Sequence, residues 1–188
     1  MECQAMRRAW MVIALTFALL LQGSGFGSNS QSAAAKGQTA KAGLEQARQV
    51  AKKWRTDAIL VYLSSNSVSK DGTVSGDGSW QYIFHSPTAK KEFIVDIGGP
   101  TVESDEIEFP GNQAITGDFV DSDRVMNEVI KNGFKAKGNI SMGLAYTSSK
   151  TLKPGLYWFV KDAADPTSTA FAVDPRTGKF LGKESGQR

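Results

Sequence analysis

The sequence predicts an α+β protein with two units, each packing one helix on an antiparallel sheet of three to four strands, after an N-terminal signal peptide. Three observations support this prediction. Apolar residues recur at helical spacing in two segments, as in helices that cover a core. Other segments alternate apolar and polar residues, which is typical of half-buried strands. The two halves of the chain also repeat several of these positions at one constant offset.

The composition is that of a globular protein without a strongly charged surface. The chain has 188 residues, and its 22 Lys and Arg residues nearly balance its 19 Asp and Glu residues. The basic residues are scattered, so the sequence lacks a basic stripe that would neutralise nucleic-acid phosphates. We therefore expect no nucleic acid among the partners of this protein.

The N-terminus has the order of a secretory signal peptide. Arg7 and Arg8 precede an apolar run from 9 to 21, and small residues follow it up to Gly27. The apolar run is shorter than the roughly 20 residues that a membrane-spanning helix needs. The sequence therefore predicts a signal peptide over 1–27, with an uncleaved anchor as the alternative.

Cleavage of this signal would leave a periplasmic or secreted protein with no stable insertion in the membrane. Residues 28–38 are small and polar, which predicts a flexible leader. Cys3 is the one cysteine, and it lies before the apolar run. The mature chain would therefore have neither a disulfide nor a thiol nucleophile.

Residues 39–110 are predicted to form the first unit with its connecting segment. Apolar residues three and four apart indicate a helix on Ala40, Leu44, Ala47, Ala51 and Trp54. Alternating apolar residues predict strands at 57–64, 80–85 and 93–97. The segment 98–117 contains two prolines, four glycines and an acidic run, and it is interpreted as a connection between the units.

Residues 111–188 are predicted to form the second unit. Asp121 or Ser122 offers an N-cap to a helix that Asn132 and Gly133 end. The apolar stripe of this helix consists of Val125, Met126, Val129 and Ile130.

Four strands are predicted after this helix. They lie near 140–146, 156–161, 171–173 and 180–181. The turn before the last strand runs from Asp174 to Gly178, where we expect glycine to adopt a left-handed conformation.

The constant offset between the halves is 78 residues. It relates Trp80 to Trp158, Phe93 to Phe171, Val95 to Val173 and Asp96 to Asp174. This repetition predicts a tandem duplication.

The second half carries a motif that resembles the PepSY family. The matching residues are 156–160, Ala170–Asp174 and Thr177–Lys179, while 80–84 and 93–96 match less fully. The resemblance implies a small cystatin-like α+β fold in both units. It also implies an exported or envelope protein that inhibits peptidases or binds other proteins, and it carries no catalytic residues.

The residues that could support catalysis or metal binding do not form a recognisable motif. His85 is the one histidine, so a transition-metal site would have a poor set of ligands. The segment 71–79 resembles a calcium loop but has Tyr82 at the position of the essential acidic residue. No serine lies in a nucleophile elbow. We therefore expect a non-enzymatic protein without metal or cofactor.

These observations favour a module that binds a protein or peptide partner and possesses a free sheet face or edge strand. Aromatic residues are the usual anchors of such contacts. The candidate binding residues are Tyr157 and Phe159, followed by Tyr82 and Phe84.

The alternative is a protein of another class, a small-molecule-binding protein or enzyme. It would use a pocket on the concave face of the sheet, lined by His85 and a carboxylate such as Asp96. A pocket that contains His85 would favour this alternative.

Overall fold

Eight strands and two helices make up the described part of the chain, which in the computed structural model comprises residues 37–98, 101–110, 113–149, 151–165 and 167–184. The predicted signal peptide and most of the predicted leader lie outside these residues. No helix in the described ranges has the length and apolar character needed to cross a membrane.

Each half of the chain contributes one helix and four consecutive strands. The first half forms α1 (Ala40–Trp54), β1 (Ile59–Val68), β2 (Trp80–Ser86), β3 (Lys91–Gly98) and β4 (Thr101–Ile107). The second half forms α2 (Ser122–Lys131), β5 (Ile140–Thr147), β6 (Gly155–Asp162), β7 (Ala170–Val173) and β8 (Phe180–Glu184).

The prediction of two separate cystatin-like units is wrong, because all eight strands belong to one antiparallel sheet. The strand order is β4-β3-β2-β1-β5-β6-β7-β8. The first strand of each half, β1 and β5, pair with one another, so that Leu63 lies opposite Leu144. Both side chains are fully buried. In separate sheets these strands would present unpaired backbone groups at two edges, and their pairing removes both edges.

Both helices pack on one face of the sheet. Helix α1 lies against β2 and β3, and α2 lies against β6 and β7. The predicted apolar stripe of α1 is confirmed, because Ala40, Leu44, Ala47 and Ala51 are buried and Trp54 packs against the core. In α2, Val125, Met126 and Val129 are buried, but Ile130 is 43 % exposed, so the stripe is narrower than predicted.

The two helices begin side by side, and one carboxylate caps both. Asp121 is the N-cap of α2 and accepts hydrogen bonds from the Ser122 N–H at 2.8 Å and the Lys41 N–H at 2.9 Å. The hydroxyl of Thr39, the N-cap of α1, donates to the same carboxylate at 2.7 Å. The Asp121 carboxylate therefore faces the positive dipole ends of both helices.

Trp80 and Trp158 occupy corresponding positions under the helix starts. Each is fully buried, and their rings meet edge to face with centroids 6.5 Å apart. The Trp80 indole N–H donates to the Gln38 carbonyl, and that of Trp158 donates to the Val120 carbonyl. Each indole thus satisfies a backbone oxygen just ahead of a helix, which ties both helices to the centre of the sheet.

The segment 98–117, interpreted from the sequence as a connection between the units, contains the edge strand β4. Its residues pair with β3 along the whole strand, from Glu92 opposite Ile107 to Gly98 opposite Thr101. Acidic residues point to both sides of this strand, so the apolar alternation that identifies a half-buried strand is absent. Charges on an edge strand discourage pairing with other chains.

The predicted turn between β7 and β8 is confirmed. The Asp174 carboxylate accepts hydrogen bonds from the N–H groups of Arg176 and Thr177, and Gly178 has φ +75°. A residue with a side chain would adopt this conformation only with strain.

Candidate functional site

One face of the sheet is not covered by a helix in the described part of the chain. Alternate residues of the strands point to this side, which we call the helix-free face. One row of paired residues crosses all eight strands there: Glu103, Asp96, Gln81, Ser64, Gly143, Phe159, Ala172 and Gly182. The row is acidic and polar at the β4 end and small or aromatic from β5 onward.

Four half-buried aromatic residues form the central surface of this face, and we call them the aromatic patch: Tyr62, Phe109, Tyr157 and Phe159. The Tyr62 and Phe109 rings lie 5.3 Å apart, and the Tyr157 and Phe159 rings lie 6.1 Å apart. Large aromatic surface that keeps partial contact with water can contribute strongly to binding when a partner covers it.

Small residues flank Phe159 on both neighbouring strands. Gly143 of β5 and Ala172 of β7 lie opposite it in the ladder, and Ala145 of β5 lies opposite Tyr157. The aromatic rings of β6 therefore stand among short side chains. This arrangement leaves the edges of the rings accessible to a ligand chain laid across the sheet.

The β3–β4 end of the helix-free face is acidic. Asp96 and Glu103 lie opposite one another and line a cavity of about 350 Å³ together with Asp77 and Gln81. Burial raises the pKa of Asp96, and the charge of Glu103 raises it further. The Oδ1 atom of Asp96 is buried and accepts no hydrogen bond from the described residues. A cationic group from a partner would relieve this accumulation of negative charge.

Replacing Asp96 with Asn is expected to stabilise the protein at neutral pH. The pKa of Asp96 is higher in the folded than in the unfolded state, so ionisation of the carboxyl group opposes folding, and this penalty grows as the pH rises. The increase in the free energy of unfolding caused by Asp96→Asn should therefore be present at pH 7 and disappear below the unfolded pKa of about 3.9. Urea denaturation at pH 7 and at about pH 3 measures the free energy of unfolding of the wild type and the variant under both conditions.

Asp77→Asn is the matched control, because Asp77 lines the same cavity but is exposed. It should leave the free energy of unfolding nearly unchanged at both pH values. Loss of stability at pH 7 in Asp96→Asn would mean that the ionised carboxylate makes net favourable contacts, contrary to this account.

The four predicted binding residues divide between the two faces. Tyr157 and Phe159 lie on the helix-free face and remain half-buried. Tyr82 and Phe84 point to the helix-covered side, where Tyr82 is 0 % and Phe84 is 1 % exposed. The Tyr82 hydroxyl donates to the Ala40 carbonyl at 2.7 Å, and burial raises the pKa of this hydroxyl. The expectation that Tyr82 and Phe84 are outward contact residues is corrected: they are core residues.

Two members of the aromatic patch were not among the predicted binding residues. Tyr62 lies between two buried residues of β1. The period of the strand therefore places its side chain on the other side of the sheet from that of Leu63. Phe109 follows β4 in the chain, and only its contact with Tyr62 places it on the helix-free face. The alternation could have identified Tyr62, but no local pattern identifies Phe109.

His85 and Asp96 do not share a pocket. Both lie on the helix-free face, but His85 pairs with Glu92, whereas Asp96 pairs with Gln81, four pairs further along the β2–β3 ladder. The His85 ring contacts the Glu92 carboxylate, with Nδ1 and Oε1 3.0 Å apart, and His85 does not line the cavity of Asp96. The geometry therefore does not support the alternative of a His85–Asp96 pocket. Within the described ranges no three His, Cys, Asp or Glu residues are arranged to hold a metal ion.

Comparison with known proteins gives a structural likeness and no family. No protein-family model matches the chain, and no curated protein sequence matches it. A similar solved structure is the crystal structure of a "putative lipoprotein" from Clostridium difficile 630, with a TM-score of 0.50 and 14 % sequence identity. The match covers 75 % of this chain and 91 % of the clostridial chain. Identity at this level shows a likeness of fold alone, and the resemblance to PepSY stays a prediction.

Proposed function

We propose that this is an exported, non-catalytic protein that binds an extended segment of a protein or peptide partner on its helix-free face. The observation that carries the proposal is the aromatic patch: four half-buried aromatic side chains lie on a sheet face that no helix in the described ranges covers. Apolar surface that is grouped on one face often marks an interaction site, and these four rings keep part of their surface open to water.

The chemistry of this face defines the kind of segment that would bind. Tyr157 and Phe159 would contact apolar or aromatic side chains, and such rings commonly anchor protein interfaces. Asp96 and Glu103, at the β3–β4 end of the same row, would attract Lys or Arg side chains. We therefore propose a partner segment that carries apolar residues at one end and basic residues at the other.

The edges of the sheet fit an extended partner less well. Strand β4 presents Glu103, Asp105 and Glu106 within one short strand, and such a density of charge disfavours the addition of another strand. Strand β8 has only five residues and an irregular register with β7. The face is therefore preferred over either edge as the binding surface.

Export rests on two lines of support. The N-terminal sequence has the order of a signal peptide, and the structurally similar clostridial protein is described as a "putative lipoprotein". Cys3 precedes the apolar run, so this chain would be exported without a lipid on that residue. The resemblance to PepSY would make a peptidase or another envelope protein the class of partner.

The experiment compares peptide binding by wild-type protein and a Phe159→Ala variant. Short random peptides are selected on the wild-type protein, and the affinity of each selected peptide is then measured for both proteins. We expect the selected sequences to combine basic and aromatic residues. Phe159→Ala should weaken their binding about 30-fold, because loss of an interface anchor costs about 2 kcal/mol.

Val102→Ala is the matched control for this experiment. Val102 is an exposed apolar residue, but it pairs with Ile97 and thus points to the helix-covered side. Unchanged binding in Phe159→Ala would contradict the proposal. If alanine at Tyr157 and Phe159 unfolds the protein, these residues belong to the core and the assignment is wrong.

A further inference from the structure

A second candidate site lies on the helix-covered side, next to α2. It is a cavity of about 360 Å³ with apolar lining from Met126, Ile130, Phe134, Ala136 and Ile140. Met126 and Ile140 are fully buried and form its floor, while Ile130 is 43 % exposed at its mouth. The volume is within the range of pockets that bind small molecules, roughly 300–1,000 Å³.

Two lysines complete the wall of this cavity. Lys70 and Lys135 both line it, and both are exposed to solvent. The described residues provide no ion pair to either ammonium group. An apolar interior thus opens beside two lysines that form no ion pair with a carboxylate of the described residues.

We propose that this cavity binds an anionic amphiphile, a molecule with a carboxylate head and an alkyl chain of medium length. The alkyl chain contacts Met126, Phe134 and Ile140, because burial of apolar surface drives its transfer from water. The carboxylate lies at the mouth between Lys70 and Lys135, where the opposite charges attract. The site shares no residue with the helix-free face, so this function is independent of the proposed peptide binding.

The ligand class is tested with three probes in titration calorimetry: decanoate, octanoate and decyltrimethylammonium. Each methylene that enters an apolar site contributes about 0.8 kcal/mol, or about fourfold in affinity. Decanoate should therefore bind about 15-fold more tightly than octanoate. The cation should bind about tenfold or more weakly than decanoate, because its alkyl chain keeps the apolar contacts but its charge is repelled by Lys70 and Lys135. Equal affinity of the two carboxylates, or equal binding of the cation, would overturn the proposal.

The location is tested with variants at the mouth of the cavity. Ile130→Glu places a negative charge there, and because Ile130 is exposed the variant is expected to fold. It should weaken decanoate binding about tenfold or more, because the new carboxylate repels the carboxylate of decanoate. A tenfold loss of affinity corresponds to about 1.36 kcal/mol of binding free energy. Each of Lys70→Gln and Lys135→Gln should weaken binding about twofold to fivefold, as expected for exposed ion pairs.

Lys53→Gln on the exposed surface of α1 is the matched control and should bind decanoate like the wild type. Wild-type affinity in Ile130→Glu and in both lysine variants would place the amphiphile elsewhere and overturn the proposal. Absence of decanoate binding, together with a wild-type dimer that Ile130→Glu dissociates, would identify a second copy of the chain as the occupant instead.

Discussion

Replacement of Asp121 by Ala is expected to lower the free energy of unfolding by about 2–4 kcal/mol. The carboxylate accepts hydrogen bonds from the Ser122 and Lys41 N–H groups and from the Thr39 hydroxyl, so one substitution removes the N-cap of α2 and an acceptor for the first turn of α1. Loss of a single N-cap typically costs about 1 kcal/mol, and the interaction of the charge with two helix dipoles adds to this. Chemical denaturation followed by circular dichroism measures the change.

Asp118→Ala is the matched control, because it removes the same side chain three residues earlier in the chain. Asp118 contacts Lys41 at 2.5 Å, but its side chain is 87 % exposed. Exposed ion pairs contribute little, so we expect this variant to remain close to wild-type stability. Equal losses in the two variants would contradict the shared cap. Asp121→Asn, which retains a good capping side chain, should recover part of the loss.

Replacement of Gly72 by Ala is expected to lower the free energy of unfolding by about 3–5 kcal/mol. Gly72 is buried under the first turn of α2 with φ +81°. A Cβ atom there would lie 2.5 Å from the Asp123 nitrogen and 2.6 Å from the Ser122 carbonyl carbon, which are backbone atoms that no rotamer change moves. The buried hydrogen bond from the Ser122 hydroxyl to the Gly72 carbonyl, 2.6 Å long, would also be disturbed.

Gly76→Ala in the same loop separates backbone strain from the clash. Gly76 also has a positive φ, +60°, but a Cβ atom there would meet nothing within 4 Å. Its cost should be limited to about 1–2 kcal/mol of conformational strain. In thermal denaturation, Gly76→Ala should therefore show a small decrease in Tm and Gly72→Ala a large one, both relative to the wild type. Similar decreases would mean that α2 does not pack on Gly72 as described.

The local sequence pattern predicted the helices and strands that have one apolar, buried side. The apolar spacing from Ala40 to Trp54 corresponds to α1, and Asp121 was one of two proposed N-caps for α2. The strands that alternate apolar and polar residues also lie close to their predicted positions, because burial of one face imposes that period, although β1 continues to Val68, beyond the predicted end at Ser64. Strand β4 was missed because its pairing with β3 is not accompanied by burial of an apolar face.

The error in fold class has a physical origin in the pairing of β1 with β5. Hydrogen bonding between backbones carries little sequence signal, so two halves with separate sheets and two halves in one sheet have the same local pattern. Local pattern is equally ambiguous about which set of alternating side chains in a strand lies on which face of the sheet. In β2, Tyr82 and Phe84 alternate with Ile83, and local apolarity alone does not decide which set lies beneath α1.

The candidate site was predictable only in part. Tyr157 and Phe159 were proposed because they alternate with the buried residues Trp158 and Val160, which is a local property of β6. Their ladder neighbours come from the adjacent strands β5 and β7, but Tyr62 comes from β1, distant in the chain, and Phe109 comes from outside any strand. The acidic end of the face depends on the pairing of β3 with β4, an edge strand that sequence pattern did not predict.

Methyl NMR spectroscopy of the protein with a selected peptide tests the central proposal most directly. Ile94 and Ala145 lie on the helix-free face, whereas Ile97 and Leu144 lie on the helix-covered side of the same two strands. We predict that the peptide shifts the methyl signals of Ile94 and Ala145 and leaves those of Ile97 and Leu144 unchanged. Shifts confined to Ile97 and Leu144, or unchanged signals of all four residues at saturating peptide, would contradict binding on the helix-free face.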